Sequence, residues 1–181
     1  MFTAVRDRIR HDPYVVSVDP EVFRASAVAR LEANWCVPKA VLYTATLRHA
    51  GIPARLAFAD VRNHLSSEKL TEAMGTDLFA WHGFTELYLD GRWFKASTAL
   101  NIGLCRRFGV KVLEFDGTAD ALLHPYDEAG QRHMEYVRDR GASTTCRSTR
   151  SSPPSPRSTR NPCSPPWTSK PTRCSPDGGT T

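Results

Sequence analysis

The stretch from Asn34 to Pro53 constrains this chain more than any other. An apolar run opens at Asn34-Trp35-Cys36-Val37-Pro38-Lys39-Ala40 and stops at Gly51-Ile52-Pro53. Pro53 cannot continue a helix, and Gly51 suits the left-handed residue that follows a helix end. The run is therefore expected to form one helix, reaching about His49 and Ala50, with Cys36 in its first turn. Backbone N–H groups there lack intrahelical partners, and the helix dipole is positive. Both favour thiolate over thiol, so the position suits a nucleophile. A lone cysteine more often fills core space. The catalytic reading needs a base elsewhere in the chain.

The flanking segments supply a scaffold. Phe2, Val5 and Ile9 make a surface-helix stripe over residues 2–10. Val15, Val16 and Val18 form an extended stretch between Pro13 and Pro20. A second helix is expected over 20–32, with Asp19 as N-cap and Pro20 at the first helical position. Ala54 to Val61 reads as a strand, and a short helix is expected near 66–74. Residues 84–89 and 92–96 read as strands joined by Asp90-Gly91, a strong hairpin signal. A helix near 102–108 carries Cys105 with Leu104 and Phe108, which reads as core. Residues 110–142 read as a partly ordered extension ending in a helix near 127–139.

His82, in Phe79-Ala80-Trp81-His82-Gly83-Phe84, is the best placed of the six histidines to serve as a base, because it opens a strand. A structural histidine is the plain alternative. Trp81 and Trp93 read as core or pocket wall before substrate anchors. Asp60 and His64 form a second polar cluster, which reads as a rim over the cleft. With His82 they could be taken for a metal site, but no helical HExxH motif supports one.

Cys36 at a helix start, then Ala50-Gly51-Ile52-Pro53-Ala54-Arg55, then Trp81-His82, then Trp93 after a glycine turn, together resemble the transglutaminase-like superfamily over roughly residues 3–101. The resemblance implies an α+β, papain-like core with the cysteine helix packed on an antiparallel sheet bearing the histidine. It implies Cys36 as nucleophile and His82 as base. Two positions depart from the family pattern. Asn34 stands where many members have glycine. Ser97 stands where the family's aspartate usually lies, four residues after Trp93. A serine hydroxyl can orient an imidazole but cannot carry the charge that stabilises an imidazolium. Asn101 is the nearest substitute for the third member, with Asp60 and Asp116 as outside candidates.

Charge and cysteine content narrow the remaining classes. The chain has 181 residues and a formal net charge of +5. All of that excess lies in residues 143–181, which hold six basic residues and one acid. The body, residues 1–142, is neutral, which argues against a nucleic-acid-binding face. Residues 143–181 contain 25 Ser, Thr or Pro and are expected to be a disordered tail. A second reading makes that tail a frameshift product. Codons for Ser143–Ser151 can regroup, after one added base, to encode an acidic–apolar stretch containing Val-Pro-Phe-Asp-Glu-Ile. No apolar run is long enough for a membrane helix, and the first residues lack the apolar core of a signal peptide. Five cysteines without a CxxC suit neither a disulfide framework nor a structural zinc site, so a cytoplasmic protein is expected.

The expected activity is acyl transfer without a cofactor. It would act on a peptide, amide or ester through a Cys36 thioester, in the manner of a cysteine peptidase, amidase or transglutaminase-like enzyme. The rival is a non-catalytic binding or scaffold domain that keeps the fold.

Overall fold

The structure is a computed structural model in which residues 1–143 are described. The tail after Ser143, and with it the frameshift reading, lies outside the described residues. The chain opens with α1 (Phe2–Arg8) and the short β1 (Arg10–His11), then a single 3-10 turn over Pro20–Phe23. There follow α2 (Ala25–Val28), β2 (Ala33–Asn34), α3 (Cys36–His49), β3 (Ala54–Asn63), α4 (Glu68–Met74), β4 (Leu78–Leu89), β5 (Arg92–Ala96), α5 (Ile102–Phe108) and β6 (Met134–Ser143). The larger sheet is antiparallel with strand order β5-β4-β3-β6. β1 and β2 form a separate parallel pair. This is the expected α+β class.

Helix α3 ends as its punctuation dictates. Ala50 leaves the helix, Gly51 takes φ +79°, and Pro53 enters the strand that follows. The helix packs on the sheet through Tyr43 and Leu47, against Leu87, Phe94 and Ala96. A polar tie crosses this interface: Thr85 Oγ1 lies 3.0 Å from Thr44 Oγ1 and donates to the Ala40 carbonyl at 3.2 Å. The hairpin turn adopts positive φ at Asp90 (+46°) and Gly91 (+89°), the geometry that favours this dipeptide. Ser67 caps α4 by accepting from the Leu70 N–H, and Cys105 is buried in α5.

Two expectations are corrected. The helix expected over 20–32 is two short pieces. Asp19 does accept from the Glu21 N–H, but no residue of Pro20–Phe23 is buried and Val28 alone is buried in α2. Helices of this length hold only where a face packs, and here almost none does. The helix expected near 127–139 is instead strand β6, running antiparallel along β3 from Met134 opposite Asn63 to Ser143 opposite Leu56. Polar, charged residues there suggested a helix surface. The free edge of β3 decides otherwise, since it would leave a long row of backbone groups unpaired.

A buried lysine ties the N-terminal segments to this frame. Lys39 of α3 has no exposed surface. Its Nζ donates to the carbonyls of Arg6 (2.9 Å), Ile9 (2.6 Å) and Ala99 (2.8 Å). One ammonium thus joins α1, the approach to β1, and the loop after β5. Burial lowers its pKa to about 7. Lys39→Met should leave three carbonyls without their donor and cost on the order of 3 kcal/mol. In a domain of this size that corresponds to a fall of about 10 °C in the thermal midpoint. An unchanged midpoint in a melting experiment would contradict this role.

Candidate active site

Cys36 occupies the first position of α3, behind Trp35 as N-cap. No side chain caps this helix end. The orphan N–H groups of Cys36 and Val37 are therefore left for the thiol, and the Gly83 N–H from β4 joins them. Pro38 needs no donor in this first turn. Asn34 is buried and turns its Oδ1 back to the Trp35 N–H at 3.1 Å, fixing the entry to the helix.

β4 reaches Cys36 because Gly83 lets it. A Cβ placed on Gly83 would sit 2.9 Å from Val37 Cα. Only glycine allows the strand to pass the start of α3 this closely, and His82 is the residue just before that crossing. The strand is irregular here. Pairing between β3 and β4 shifts at Ala59–Val61, and Trp81 takes φ +61°. Such a conformation is strained for a bulky residue and is held by its surroundings. The Trp81 N–H donates to Asp60 Oδ1 at 3.1 Å, and Arg140 of β6 binds both Asp60 oxygens at 2.6 and 2.7 Å. The Arg140 guanidinium also lies 4.4 Å from the Trp81 ring centre. Asp60 therefore shapes the backbone that presents His82.

His82 is buried, with Nε2 3.4 Å from Ser97 Oγ and its ring edge-on to Tyr136 at 6.3 Å. Ser97 is itself fully buried just beyond β5. Cys36 and His82 line one cleft of about 770 Å³, whose walls include Tyr14, Trp35, Met74, Trp81 and Phe108. Cys36 keeps accessible surface there although it lies deep.

Asn101 does not orient the ring. Its Oδ1 accepts from the backbone N–H of His11 at 2.9 Å, and it stands at the N-cap of α5. The side chain within hydrogen-bonding distance of His82 Nε2 is Ser97. Asp60 is committed to Arg140 and Trp81, and Asp116 to the backbone and hydroxyl of Thr118. The metal reading of Asp60, His64 and His82 fails for the same reason, since His64 pairs with Glu135 at 3.0 Å. Among the described residues, no group of three or more His, Cys, Asp or Glu could hold a metal ion. The neighbours Asn63, Leu65 and Ser66, rather than His64 itself, line the cleft. Trp81 is cleft wall. Trp93 stacks under Arg55, 4.1 Å from its guanidinium.

The electrostatics reverse one expectation. Burial pushes the Cys36 thiol up, and the Gly83, Val37 and Cys36 N–H groups and the Lys39 charge offset it only in part. Burial likewise lowers His82 to about 4. Both shifts favour the uncharged thiol and the uncharged imidazole at neutral pH. A helix N-terminus alone does not overcome desolvation when no carboxylate stands behind the histidine. Sequence reading also missed His11 and Tyr136. No motif marks His11, and Tyr136 was hidden by the mistaken helix.

Gly83→Ala should force β4 away from α3. We expect a loss of about 1–3 kcal/mol and slower alkylation of Cys36 in the folded variant. Unchanged stability and alkylation would show that the close crossing does not position the thiol.

No curated protein matches this chain. No solved structure matches it. Residues 1–98 match the family model described as Transglutaminase-like superfamily, a span that ends one residue beyond Ser97. Among the described residues no helix is long and apolar enough to cross a membrane. The match covers more than half of the 181 residues and takes in the cysteine helix, the histidine strand and the hairpin, so the chain belongs to the transglutaminase-like superfamily.

Proposed function

We propose that this domain is a thiol acyltransferase or hydrolase of the peptidase or amidase type, acting on a peptide, amide or ester through Cys36 and His82. The observation that carries the reading is the crossing at Gly83. It brings the N–H that follows His82 onto the Cys36 thiol, within a cleft that both side chains line.

The reaction starts from the neutral pair. As the Cys36 sulfur attacks the carbonyl carbon, His82 takes the thiol proton and the carbonyl π pair moves to oxygen. The bond to the leaving amine or alcohol then breaks, and that group takes the proton from His82. Water or an amine attacks the resulting thioester, gives its proton to His82, and expels the sulfur, which recovers the proton. Ser97 keeps the ring oriented through Nε2 but adds no charge. The imidazolium is therefore short-lived and arises only beside the developing thiolate. No cofactor is needed. Cys36 and Cys105 are both free thiols, which suits a reducing, cytoplasmic setting.

The buried serine at His82 favours one rival: a scaffold domain that kept the fold and lost the charge. The two readings part on a simple substrate. With p-nitrophenyl acetate we expect a burst of p-nitrophenolate and one acetyl group on Cys36, lost in Cys36→Ser and at least about 100-fold slower in His82→Ala. Iodoacetamide alkylation should rise with pH through an apparent pKa above that of a free cysteine, about 8.5. Absence of acetyl-Cys36, or equal acylation in His82→Ala, would leave the scaffold reading standing.

A further inference from the structure

His11 stands at this site without a part in the mechanism above. It lines the same cleft as Cys36 and His82. Its backbone is fixed from both sides. Parallel pairing sets His11 opposite Asn34, two residues before Cys36, and the flanking N–H groups of Arg10 and Asp12 donate to Glu32 (2.8 Å) and Asn34 (3.1 Å). The N–H of His11 itself points away from that ladder, and Asn101 receives it. The two-residue ladder leads directly into Trp35 and Cys36. Position at His11 is therefore transmitted to the nucleophile through only two residues of chain.

The side chain contrasts with this well-tied backbone. Nδ1 is buried and has no hydrogen-bond partner among the described residues. A buried polar atom left unpaired costs about 1–3 kcal/mol, which a ligand can recover by supplying the partner. In the cleft that Cys36 also lines, a missing partner of the right chemistry is the oxygen of the attacked carbonyl.

We propose that His11 is a further catalytic residue, a neutral imidazole that donates a hydrogen bond to the acyl oxygen as it becomes an oxyanion. This rests on the acyl-transfer reading above. In the step concerned, the S–C bond forms and the carbonyl π pair moves onto oxygen. The His11 N–H meets that charge and keeps its proton throughout. Its surroundings hold it in this role. Burial, the Lys39 charge and His82 lower its pKa to about 3. Burial is the largest of these causes. Once His82 has taken the thiol proton, its charge opposes protonation of His11. The two histidines divide the work: one moves a proton, and the other stays a neutral donor. Asn101 is then a positioning residue for His11, not for His82.

Two reagents separate this role from a general one. Acylation by p-nitrophenyl acetate passes through an oxyanion, whereas alkylation by iodoacetamide needs only the sulfur. In the full chain, His11→Ala should slow Cys36 acylation about 100-fold, the loss typical of one oxyanion donor. Its iodoacetamide rate should stay within about twofold of wild type. His11→Gln, which restores a donor, should recover part of the acylation rate. Unchanged acylation in His11→Ala would overturn the proposal. So would a parallel fall of both reactions in His11→Ala and His11→Gln, which would place His11 in the fold or on the thiol. If wild-type Cys36 is not acylated at all, the acyl-transfer reading itself fails and takes this role with it. Robust wild-type acylation with an unaffected His11→Ala sinks this role alone.

Discussion

Three carbonyls from three separate segments meet on the Lys39 ammonium, and the geometry of the cleft depends on that junction. Phe2 and Val5 of α1 also pack with Tyr43 and Leu47 of α3, but the lysine is the polar tie that reaches the approach to β1 as well. Without it, β1 would keep its two-residue ladder and the bond to Asn101. The same lysine receives the Ala99 carbonyl, two residues beyond Ser97, and so anchors the loop that sets the group behind His82. Cys36, Ser97 and the N-terminal strand are thus registered against one buried side chain. A buried ammonium is costly unless its donors are satisfied, and here all three are. Its position one turn along from Cys36 also makes it the cation that most directly opposes the upward push of burial on the thiol.

The site differs from a charged cysteine–histidine–aspartate arrangement in where the free energy of ionisation falls. A carboxylate behind the ring would stabilise the imidazolium in the resting state. Ser97 offers only a hydroxyl dipole, so burial governs both partners and keeps them neutral. The backbone N–H groups at the start of α3 and at Gly83 face the sulfur. The strain at Trp81 belongs to the same design. It is held by Asp60 and Arg140, so a strand at the sheet edge, β6, helps to present a histidine two strands away.

Much of this was legible in the sequence where local chemistry decides the outcome. Gly51-Ile52-Pro53 ends α3, Asp90-Gly91 turns the hairpin, and Ser67 opens α4, each for a reason contained in a few adjacent residues. Cys36 was legible as a helix-start residue, whereas His82, expected to open a strand, lies inside β4. The failures share the opposite property. β6 exists because β3 has a second edge to cover, which no pattern within 127–143 reveals. Asn101 looked like a ring partner because it lies near Ser97 in sequence. In space its oxygen answers a backbone N–H ninety residues away. His11 had no local signal at all, since its placement comes from a parallel ladder and from a side chain distant in sequence. The thiol's protonation state was misjudged because helix position is a local property and desolvation is not.

The central claim is that Cys36 and His82 rest as a neutral pair with Ser97 at Nε2. The most direct test is the protonation state of His82 followed by ¹⁵N NMR of the imidazole across pH, with His82→Gln used for assignment. We expect a neutral ring at pH 7 that gains its second proton only near pH 4. A doubly protonated His82 at pH 7, collapsing to neutral when Cys36 is replaced by alanine, would show a resting thiolate–imidazolium pair and contradict it.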